Sequence, residues 1–394
     1  MSKRIELLAP AGDLDRVKVA VRYGADAVYC GGKELSLRTR AGNLTIEEIR
    51  EAVRYAGKYG AKIYVTVNMV PRDEDVHEVR RYLEDLEDAG VSAIIVSSRY
   101  IAKLCKKAAP EMEVHISTQQ SVTNSTGVKY WQSFGADRVV LARECTEEEI
   151  SLIASHTGTD LEVFIHGGMC SGYSGRCVLS NYMSDRDANR GGCAQSCRWK
   201  YHDDQGHVIS FGSKDLDASG HIPFFIDQGI ASLKIEGRMK TAFYLASVVR
   251  SYRYLIDTYY KTGTLSDEDY RKAKYIMGNV QNRETYDGFL RGIPGKEGLI
   301  EPGARDTVAQ DYIADIVSYD GESKTALIRM RNHLEEGEWA EVLGRDNRIT
   351  PFEIRGMRDE EGTRKTVSNR PMELLRIEMP YECESGDYLR RVKL

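Results

Sequence analysis

The sequence predicts a parallel (β/α)8 barrel of the TIM type followed by a small antiparallel β-barrel, and two observations support this. Charged helical segments that end in glycine alternate with short, almost continuously apolar runs, as expected of parallel strands buried on both faces. From about residue 312 the pattern changes to short alternating runs separated by turn residues, which indicates antiparallel strands. Eight β/α units in about 240 residues favour a closed barrel over the alternative, an open doubly wound sheet.

The eight predicted barrel strands are marked by their flanking residues as well as by their apolar runs. Five of them follow a glycine at the expected end of a helix, where a left-handed backbone is needed. Thr45 with Glu48 matches the capping-box pattern, and Thr146 begins a second helix in the same way. The segments that contain the strands are residues 5–10, 23–32, 59–68, 89–98, 113–119, 134–144, 161–167 and 228–238.

The pattern divides the chain into three regions. Residues 1–265 form the barrel with a cysteine-rich loop at 166–201, residues 266–304 form a helical and Gly/Pro-rich linker, and residues 305–394 form the small β-barrel.

Without an apolar run of roughly 18 residues or a signal-peptide pattern, the chain is expected to be cytoplasmic and to contact no membrane. Its net charge of −5 gives no general support for nucleic-acid binding, so an RNA contact would need a local basic patch.

Four of the eight cysteines cluster in the loop after the seventh strand, with the spacing C-x6-C-x15-C-x3-C. In a reducing compartment, clustered thiols indicate a metal site rather than disulfides, and four thiolates suit an iron–sulfur cluster or Zn²⁺. Zinc knuckles usually pair cysteines two to four residues apart, and only the second pair here has that spacing. The spacing therefore favours iron–sulfur over zinc or four metal-free thiols. The candidate metal ligands are Cys170, Cys177, Cys193 and Cys197.

The remaining four cysteines lie scattered in apolar runs or at strand ends, and we predict that they are packing residues. They are Cys30, Cys105, Cys145 and Cys383. Cys30 and Cys145 lie near strand ends and are reserve candidates for metal binding.

Charged and polar residues recur at the strand ends, where barrel enzymes place their working groups. Alternation along the eighth strand puts Lys234, Glu236 and Arg238 on one face, so all three are expected at the barrel mouth. Several cations there predict an anionic substrate, whereas the alternative is internal pairing, for example of Arg143 with Glu236. The candidate proton-transfer residues are His115, His166 and Glu236. The candidate substrate-binding residues are Arg38, Arg40, Gln119, Arg143, Tyr173, Lys234 and Arg238.

The run EVFIHGGMCSGYSGRC at residues 162–177 strongly resembles the signature of peptidase family U32. The motifs LLAPAG, GADAVY, SLRTR, LARE and SLKIEGR extend the resemblance over almost the whole chain. The family was named for collagenase-like proteases, but several members modify RNA or act in quinone-pathway hydroxylation. Those members bind a [4Fe–4S] cluster through four cysteines, which match the four candidate ligands here.

Within the family, the motif at residues 191–201, SKDL at 213–216 and the LKIEGR strand are similar to members that hydroxylate tRNA. The resemblance implies 5-hydroxyuridine formation at the wobble position, with tRNA and prephenate as partners. Prephenate is a dicarboxylate and agrees with a cationic mouth. Residues 201–213 form only a short turn where some tRNA-hydroxylating members have a longer insertion, and the chain lacks the long extra domain of members that act on ribosomal RNA.

Three functions therefore stay open: an iron–sulfur-dependent RNA hydroxylase, a peptidase and a non-catalytic iron–sulfur scaffold. The peptidase is poorly supported, because motifs of serine hydrolases and zinc proteases are absent and only Cys170 with His166 could form a nucleophile–base pair. Basic runs at residues 103–107 and 390–393 could follow an RNA backbone, although an ordinary solvated surface is the simpler interpretation.

Overall fold

A computed structural model describes residues 4–33, 35–36, 42–278, 280, 283–300, 311–346 and 348–392. Seven parallel strands follow one another around a barrel: β1 (Glu6–Pro10), β2 (Ala27–Gly31), β3 (Lys62–Val67), β4 (Ala93–Val96), β5 (Glu113–Ile116), β6 (Arg138–Val140) and β7 (Asp160–Gly167). Three short strands come next: β8 (Tyr201–His202), β9 (Val208–Ile209) and β10 (Asp215–Asp217). The eighth barrel strand is β11 (Ser232–Ile235). Because β11 pairs in parallel with both β1 and β7, the sheet closes. The predicted barrel is confirmed, and the open sheet is excluded.

Helices alternate with these strands. They are α1 (Leu14–Arg22), α2 (Ile46–Gly57), α3 (Asp73–Asp88), α4 (Arg99–Ala108), α5 (Ser125–Gln132), α6 (Glu147–Ser155), α7 (Leu179–Ser184), α8 (Ile222–Asp227), α9 (Ala242–Thr262) and α10 (Asp267–Gly278). The capping boxes predicted at the starts of α2 and α6 are both present. None of the described helices is long and apolar enough to cross a membrane.

The glycines that precede five of the strands have the left-handed backbone predicted for them. Their φ angles lie between 68° and 105°, a region that side chains with a Cβ rarely adopt. These residues are Gly24, Gly60, Gly90, Gly135 and Gly229. Each stops a helix and turns the chain directly into the next buried strand, which accounts for the short connections.

The barrel interior contains a buried charge network below the mouth. Glu162 of β7 lies between Lys234 of β11, 2.7 Å away, and Arg138 of β6, 3.2 Å away. Arg138 also lies 2.6 Å from Glu6 of β1. Burial alone would raise the pKa of Glu162, but the Lys234 and Arg138 cations hold that pKa at about 2. The ionised carboxylate therefore joins strands from both sides of the closure.

The C-terminal region forms a curled antiparallel sheet around its own apolar core, as predicted. The strands that follow β12 (Thr285–Tyr286) are β13 (Tyr312–Asp320), β14 (Thr325–Met330), β15 (Leu334–Glu335), β16 (Trp339–Leu343), β17 (Phe352–Glu353), β18 (Arg358–Asp359), β19 (Val367–Ser368), β20 (Leu374–Glu378) and β21 (Tyr388–Arg391). The order in the sheet is β17-β16-β21-β13-β14-β20-β18, and β15 pairs separately with β19.

Aromatic packing and polar contacts fix this domain to the outside of the barrel at α1, α9 and α10. Phe243 of α9 stacks on Tyr312 of β13, with ring centroids 4.6 Å apart. The buried Tyr23 hydroxyl donates to the carbonyl of Leu343 at 2.8 Å. Arg390 donates to the carbonyl of Ile276 in α10 at 3.2 Å. The helix within the predicted linker therefore packs between the two domains.

We expect Glu162→Gln to destabilise the protein by about 3–5 kcal/mol, because it leaves the buried Lys234 and Arg138 cations without their shared carboxylate. Urea denaturation at pH 7 measures the change. The control is Glu51→Gln, which removes an exposed pair with Lys18 and should leave stability nearly unchanged. Equal effects of the two substitutions would contradict the compensating role of Glu162.

The same carboxylate predicts a pH dependence of stability. The pKa of Glu162 is about 2 in the folded protein, and a glutamate in an unfolded chain has a pKa of about 4.3. Its stabilisation is therefore fully present above about pH 4.3 and is lost as the pH falls towards 2. Between pH 6 and pH 3, the wild type should lose on the order of 1–2 kcal/mol more than Glu162→Gln in urea denaturation. Parallel pH profiles would contradict this assignment.

Candidate active site at the barrel mouth

The mouth of the barrel brings together side chains from four strand ends. The Tyr29 hydroxyl lies 3.2 Å from a carboxylate oxygen of Glu236 and 3.0 Å from the carbonyl of Ile235. Arg143 lies with its guanidinium carbon 3.8 Å from the centre of the Phe164 ring and donates to the carbonyl of Gly168. The mouth therefore combines a carboxylate, a phenol and a guanidinium.

Tyr29 stays protonated at this position. Burial raises the pKa of its hydroxyl well above the ordinary value, and the charge of Glu236 raises it further. The phenol can therefore donate a hydrogen bond while the half-buried Glu236 remains an acceptor. Sequence reasoning missed Tyr29, although it lies in the middle of the predicted second strand.

Arg238 closes the opposite wall of the mouth. Its guanidinium donates to the hydroxyls of Ser36 and Thr66, both at 3.1 Å. A Cβ at Gly31 would lie only 2.3 Å from a guanidinium nitrogen of Arg238 and 2.4 Å from the side-chain oxygen of Asn43. The glycine at the end of β2 is therefore needed for the approach of this arginine.

Lys234 and Arg238 are only 3–4 % exposed, so neither projects freely into the mouth, and Arg238 lies within its wall. Lys234 points down into the barrel, 4.6 Å from the centre of the Tyr29 ring, and pairs with Glu162. Internal pairing, the alternative interpretation, is right for Lys234, but its partner is Glu162. The sequence signal for this pair was Glu162 itself, a charged residue on the same face as Phe164 in an otherwise apolar strand.

His115 is also not at the mouth. The predicted strand extended to residue 119, but β5 ends at Ile116 and a 3-10 turn follows, so His115 lies within the barrel. It is fully buried, bonds Glu113 at 2.9 Å and packs edge-on against Tyr64. Burial lowers the pKa of its imidazole. The structure thus makes His115 part of the interior rather than a proton-transfer group at the mouth.

His166 faces the outer helices because of a β-bulge in β7. Phe164 pairs with Lys234 and His166 pairs with Ile235, so Ile165 is the extra residue. The bulge reverses the alternation, and His166 follows Ile235 to the helix side of the sheet. There it is 2 % exposed and lies 3.3 Å from the hydroxyl of Tyr252 in α9. His166 therefore faces away from the mouth, where it was expected.

The other predicted site residues are placed as follows. Arg38 and Arg40 lie outside the described residues. Gln119 is buried and accepts a hydrogen bond from the Ser117 hydroxyl at 3.2 Å. Tyr173 is exposed on the cysteine-rich loop, in the turn whose Ser174 donates to Glu144.

Residues 168–201, which we call the cysteine lobe, are fastened to the barrel by several polar contacts. Glu144, after β6, accepts from the backbone N–H and the hydroxyl of Ser174 at 2.6 and 2.7 Å. Arg190 pairs with Asp75 of α3 at 2.7 Å. Arg198 donates to the carbonyl of Met169 and to Asp215. The lobe therefore contacts the segments that follow β3 and β6 at the carboxyl-terminal end of the barrel.

The four lobe cysteines differ from the other four in their exposure. Cys170 and Cys193 are exposed, and Cys177 and Cys197 are half-buried. The cysteines predicted to be packing residues are buried, and burial raises the pKa of Cys30, Cys105, Cys145 and Cys383 to about 12. Only the lobe thiols are thus accessible for metal binding among these eight.

The donor chemistry of the lobe suits a soft metal group. The backbone N–H of Leu179 donates to the Cys177 sulfur at 3.3 Å, a contact that stabilises a thiolate. Ser180 connects the two halves of the lobe, since its hydroxyl lies 3.3 Å from that of Ser196 and accepts from the N–H of Ala194. Within the described residues, no three histidine, cysteine or acidic side chains converge closely enough to hold a metal ion. The lobe would have to close further around such a group.

Comparison with known proteins decides the family. The model of peptidase family U32 matches residues 12–299, and the model of the U32 C-terminal domain matches residues 309–390. The chain belongs to peptidase family U32. This confirms the resemblance found from its motifs.

Among U32 relatives, the chain is 40% identical to tRNA hydroxylation protein P1 of Bacillus subtilis, over 100% of this chain and 96% of that protein. It is 39% identical to a 23S rRNA 5-hydroxycytidine synthase of Escherichia coli, over 81% of this chain and 47% of the synthase. It is 32% identical to a collagenase of Porphyromonas gingivalis, over 80% of each chain. These relatives support the prediction that the chain is an enzyme.

We expect Glu144→Gln to loosen the cysteine lobe, because glutamine keeps one acceptor oxygen and replaces the other by an NH2 group, which cannot accept the second Ser174 hydrogen bond. Amide hydrogen exchange of residues 170–178 should become roughly tenfold faster, which corresponds to about 1.4 kcal/mol. Glu148→Gln, an exposed change on α6, is the control and should leave this exchange unchanged. Unchanged exchange in both variants would show that Glu144 does not fasten the lobe.

Proposed function

We propose that this U32 protein is an iron–sulfur-dependent RNA hydroxylase that converts the wobble uridine of tRNA to 5-hydroxyuridine, with an anionic donor such as prephenate. The observation that carries the proposal is the position of four accessible cysteines in a lobe fastened beside a mouth that contains Arg143 and Arg238. The relative named as a tRNA hydroxylation protein matches the full length of this chain. The synthase named for hydroxycytidine in ribosomal RNA supports RNA hydroxylation in general.

In this proposal, the lobe cysteines hold a [4Fe–4S] cluster, with zinc as the less favoured occupant. The ligands are Cys170, Cys177, Cys193 and Cys197. When bound, such a cluster supplies electrons or a binding position for the donor. The N–H of Leu179 stabilises the Cys177 thiolate, and Glu144 holds the turn between the first two cysteines. These contacts restrict the lobe before any cluster is bound.

The chain's own residues at the mouth would bind the donor and move a proton. Arg143 and Arg238 supply guanidinium groups for carboxylates of the donor. Glu236 is half-buried and hydrogen-bonded to Tyr29, so it can accept a proton at the mouth while Tyr29 donates a hydrogen bond. Lys234 contributes positive charge from below, although Glu162 compensates most of it. Of the three candidate proton-transfer residues, Glu236 is therefore the proposed proton acceptor.

A peptidase based on Cys170 and His166 is less well supported. The His166 imidazole is buried among Tyr244 and Tyr252, which leaves little surface for contact with a peptide substrate. Because one relative is named as a collagenase, peptide cleavage by this protein is the second activity to be assayed.

The decisive measurement is nucleoside analysis by mass spectrometry of tRNA from a strain that lacks this protein. Wild type should restore 5-hydroxyuridine, and Cys177→Ala should restore less than about a tenth of it, since one of four thiolate ligands is lost. Cys383→Ala removes a buried thiol in the C-terminal domain and should behave like wild type. Iron content of the anaerobically purified variants provides a second readout.

Several outcomes would reject parts of this proposal. Full restoration of 5-hydroxyuridine by Cys177→Ala would reject the proposed ligand set. An unchanged nucleoside profile in the deletion strain would reject tRNA hydroxylation, and zinc without iron in the wild type would reject the cluster. Purified enzyme that hydroxylates tRNA equally well without prephenate would reject that donor.

A further inference from the structure

A cavity of about 660 Å³ lies beside the cysteine lobe, on the same face of the barrel as the mouth. It is formed by the segments that follow β3, β4 and β5, together with one residue of the lobe, Arg176. Cavities of 300–1,000 Å³ are typical of sites for small molecules or single groups of larger ligands. None of the residues that the proposed reaction uses lines this cavity.

The cavity is positively charged although the protein is acidic. Its lining includes Arg99 and Arg176, and none of the described residues that line it is Asp or Glu. Within the described part of the chain, neither arginine pairs with a carboxylate: Arg99 bonds the Tyr130 hydroxyl at 3.1 Å, and Arg176 bonds the Gln120 side chain at 3.2 Å. Since a guanidinium has five N–H donors, both arginines keep donors for an anion.

The remaining lining suits a planar group next to that anion. Tyr130 is 47 % exposed and packs edge-on against the buried Trp131. Val70, Pro71 and Val122 provide apolar contact, and the serine and asparagine side chains of the adjoining turns provide hydrogen-bonding groups. An anion beside an aromatic surface and polar groups matches the phosphate and base of a nucleotide.

The cavity is also connected mechanically to the cysteine lobe. Gln120 donates to the carbonyl of Ser97 at 2.6 Å and accepts from Arg176, which directly precedes Cys177 in the chain. A ligand held by Arg176 would therefore contact the lobe itself. An RNA strand that reaches the mouth from this side would pass over the cavity.

We propose that this cavity binds a nucleotide of the RNA substrate that neighbours the modified one, with its phosphate on Arg99 and Arg176 and its base on Tyr130. The inference rests on the proposed RNA substrate and adds the place where the RNA is held. It separates the RNA site from the donor site, which lies at Arg143 and Arg238.

The test is binding of a fluorescein-labelled, unmodified tRNA anticodon stem-loop to the full-length, anaerobically purified protein, followed by fluorescence anisotropy. Arg99→Gln and Arg176→Gln should each weaken binding about three- to tenfold. Each should also reduce the slope of log K against log salt by about 0.7, the value for one phosphate contact on a single strand. Arg81→Gln removes an exposed charge from α3, outside the cavity lining, and is the matched control.

Tyr130 provides an independent arm. Tyr130→Leu should weaken RNA binding by about fivefold or more with an unchanged salt slope, because stacking is lost but no phosphate contact is. Tyr130→Phe should retain most of the affinity. In turnover assays, Arg99→Gln, Arg176→Gln and Tyr130→Leu should each raise the KM for RNA and leave the KM for the donor unchanged. A photo-crosslink from 4-thiouridine in the RNA should map to residues 120–131.

Wild-type affinity and salt slope in Arg99→Gln and Arg176→Gln would overturn the inference while leaving the proposed function intact. A raised KM for the donor with unchanged RNA affinity would also overturn it, and would assign the cavity to a small anion. Failure of the wild type to bind any tRNA stem-loop would reject the cavity assignment together with the proposed RNA substrate.

Discussion

The buried carboxylate of Glu162 is the interaction on which the barrel depends. It compensates Lys234 and shares Arg138 with Glu6, in an interior where Lys234 would otherwise lack its carboxylate partner. The network connects β6, β7 and β11 with Glu6 of β1, across the place where the sheet closes. A buried ion pair gives no large net stability over apolar packing, but loss of one partner is costly. The closure of the barrel and the charge of its interior are therefore linked.

This constraint also decides which charges remain for chemistry. Lys234 is largely used inside the barrel, whereas Arg143, Arg238 and Glu236 stay at the mouth beside Tyr29. The bulge at Ile165 directs His166 away from the mouth while the backbone after it continues into the cysteine lobe. One irregular residue in β7 thus separates a structural histidine from the segment that carries the cysteines.

The cysteine lobe and the arginine-lined cavity are built on the same loops. Glu144 fastens the turn at Ser174, and Gln120 joins Arg176 to the segment after β4. In the proposed function, the lobe holds the cluster, the mouth holds the donor and the cavity holds the neighbouring nucleotide. The three sites lie on one end of the barrel, so a single RNA strand could reach all of them.

The sequence by itself determined the barrel, the second β-domain and the family. Helix-ending glycines such as Gly24, capping boxes and continuous apolar strands are local signals, and the cysteine motif is contiguous. It did not determine where His115, His166 and Lys234 point. A strand that ends three residues early, a bulge and a partner from another strand, Glu162, decide those directions. Such features arise only when the sheet closes, because side-chain direction depends on register between strands far apart in sequence.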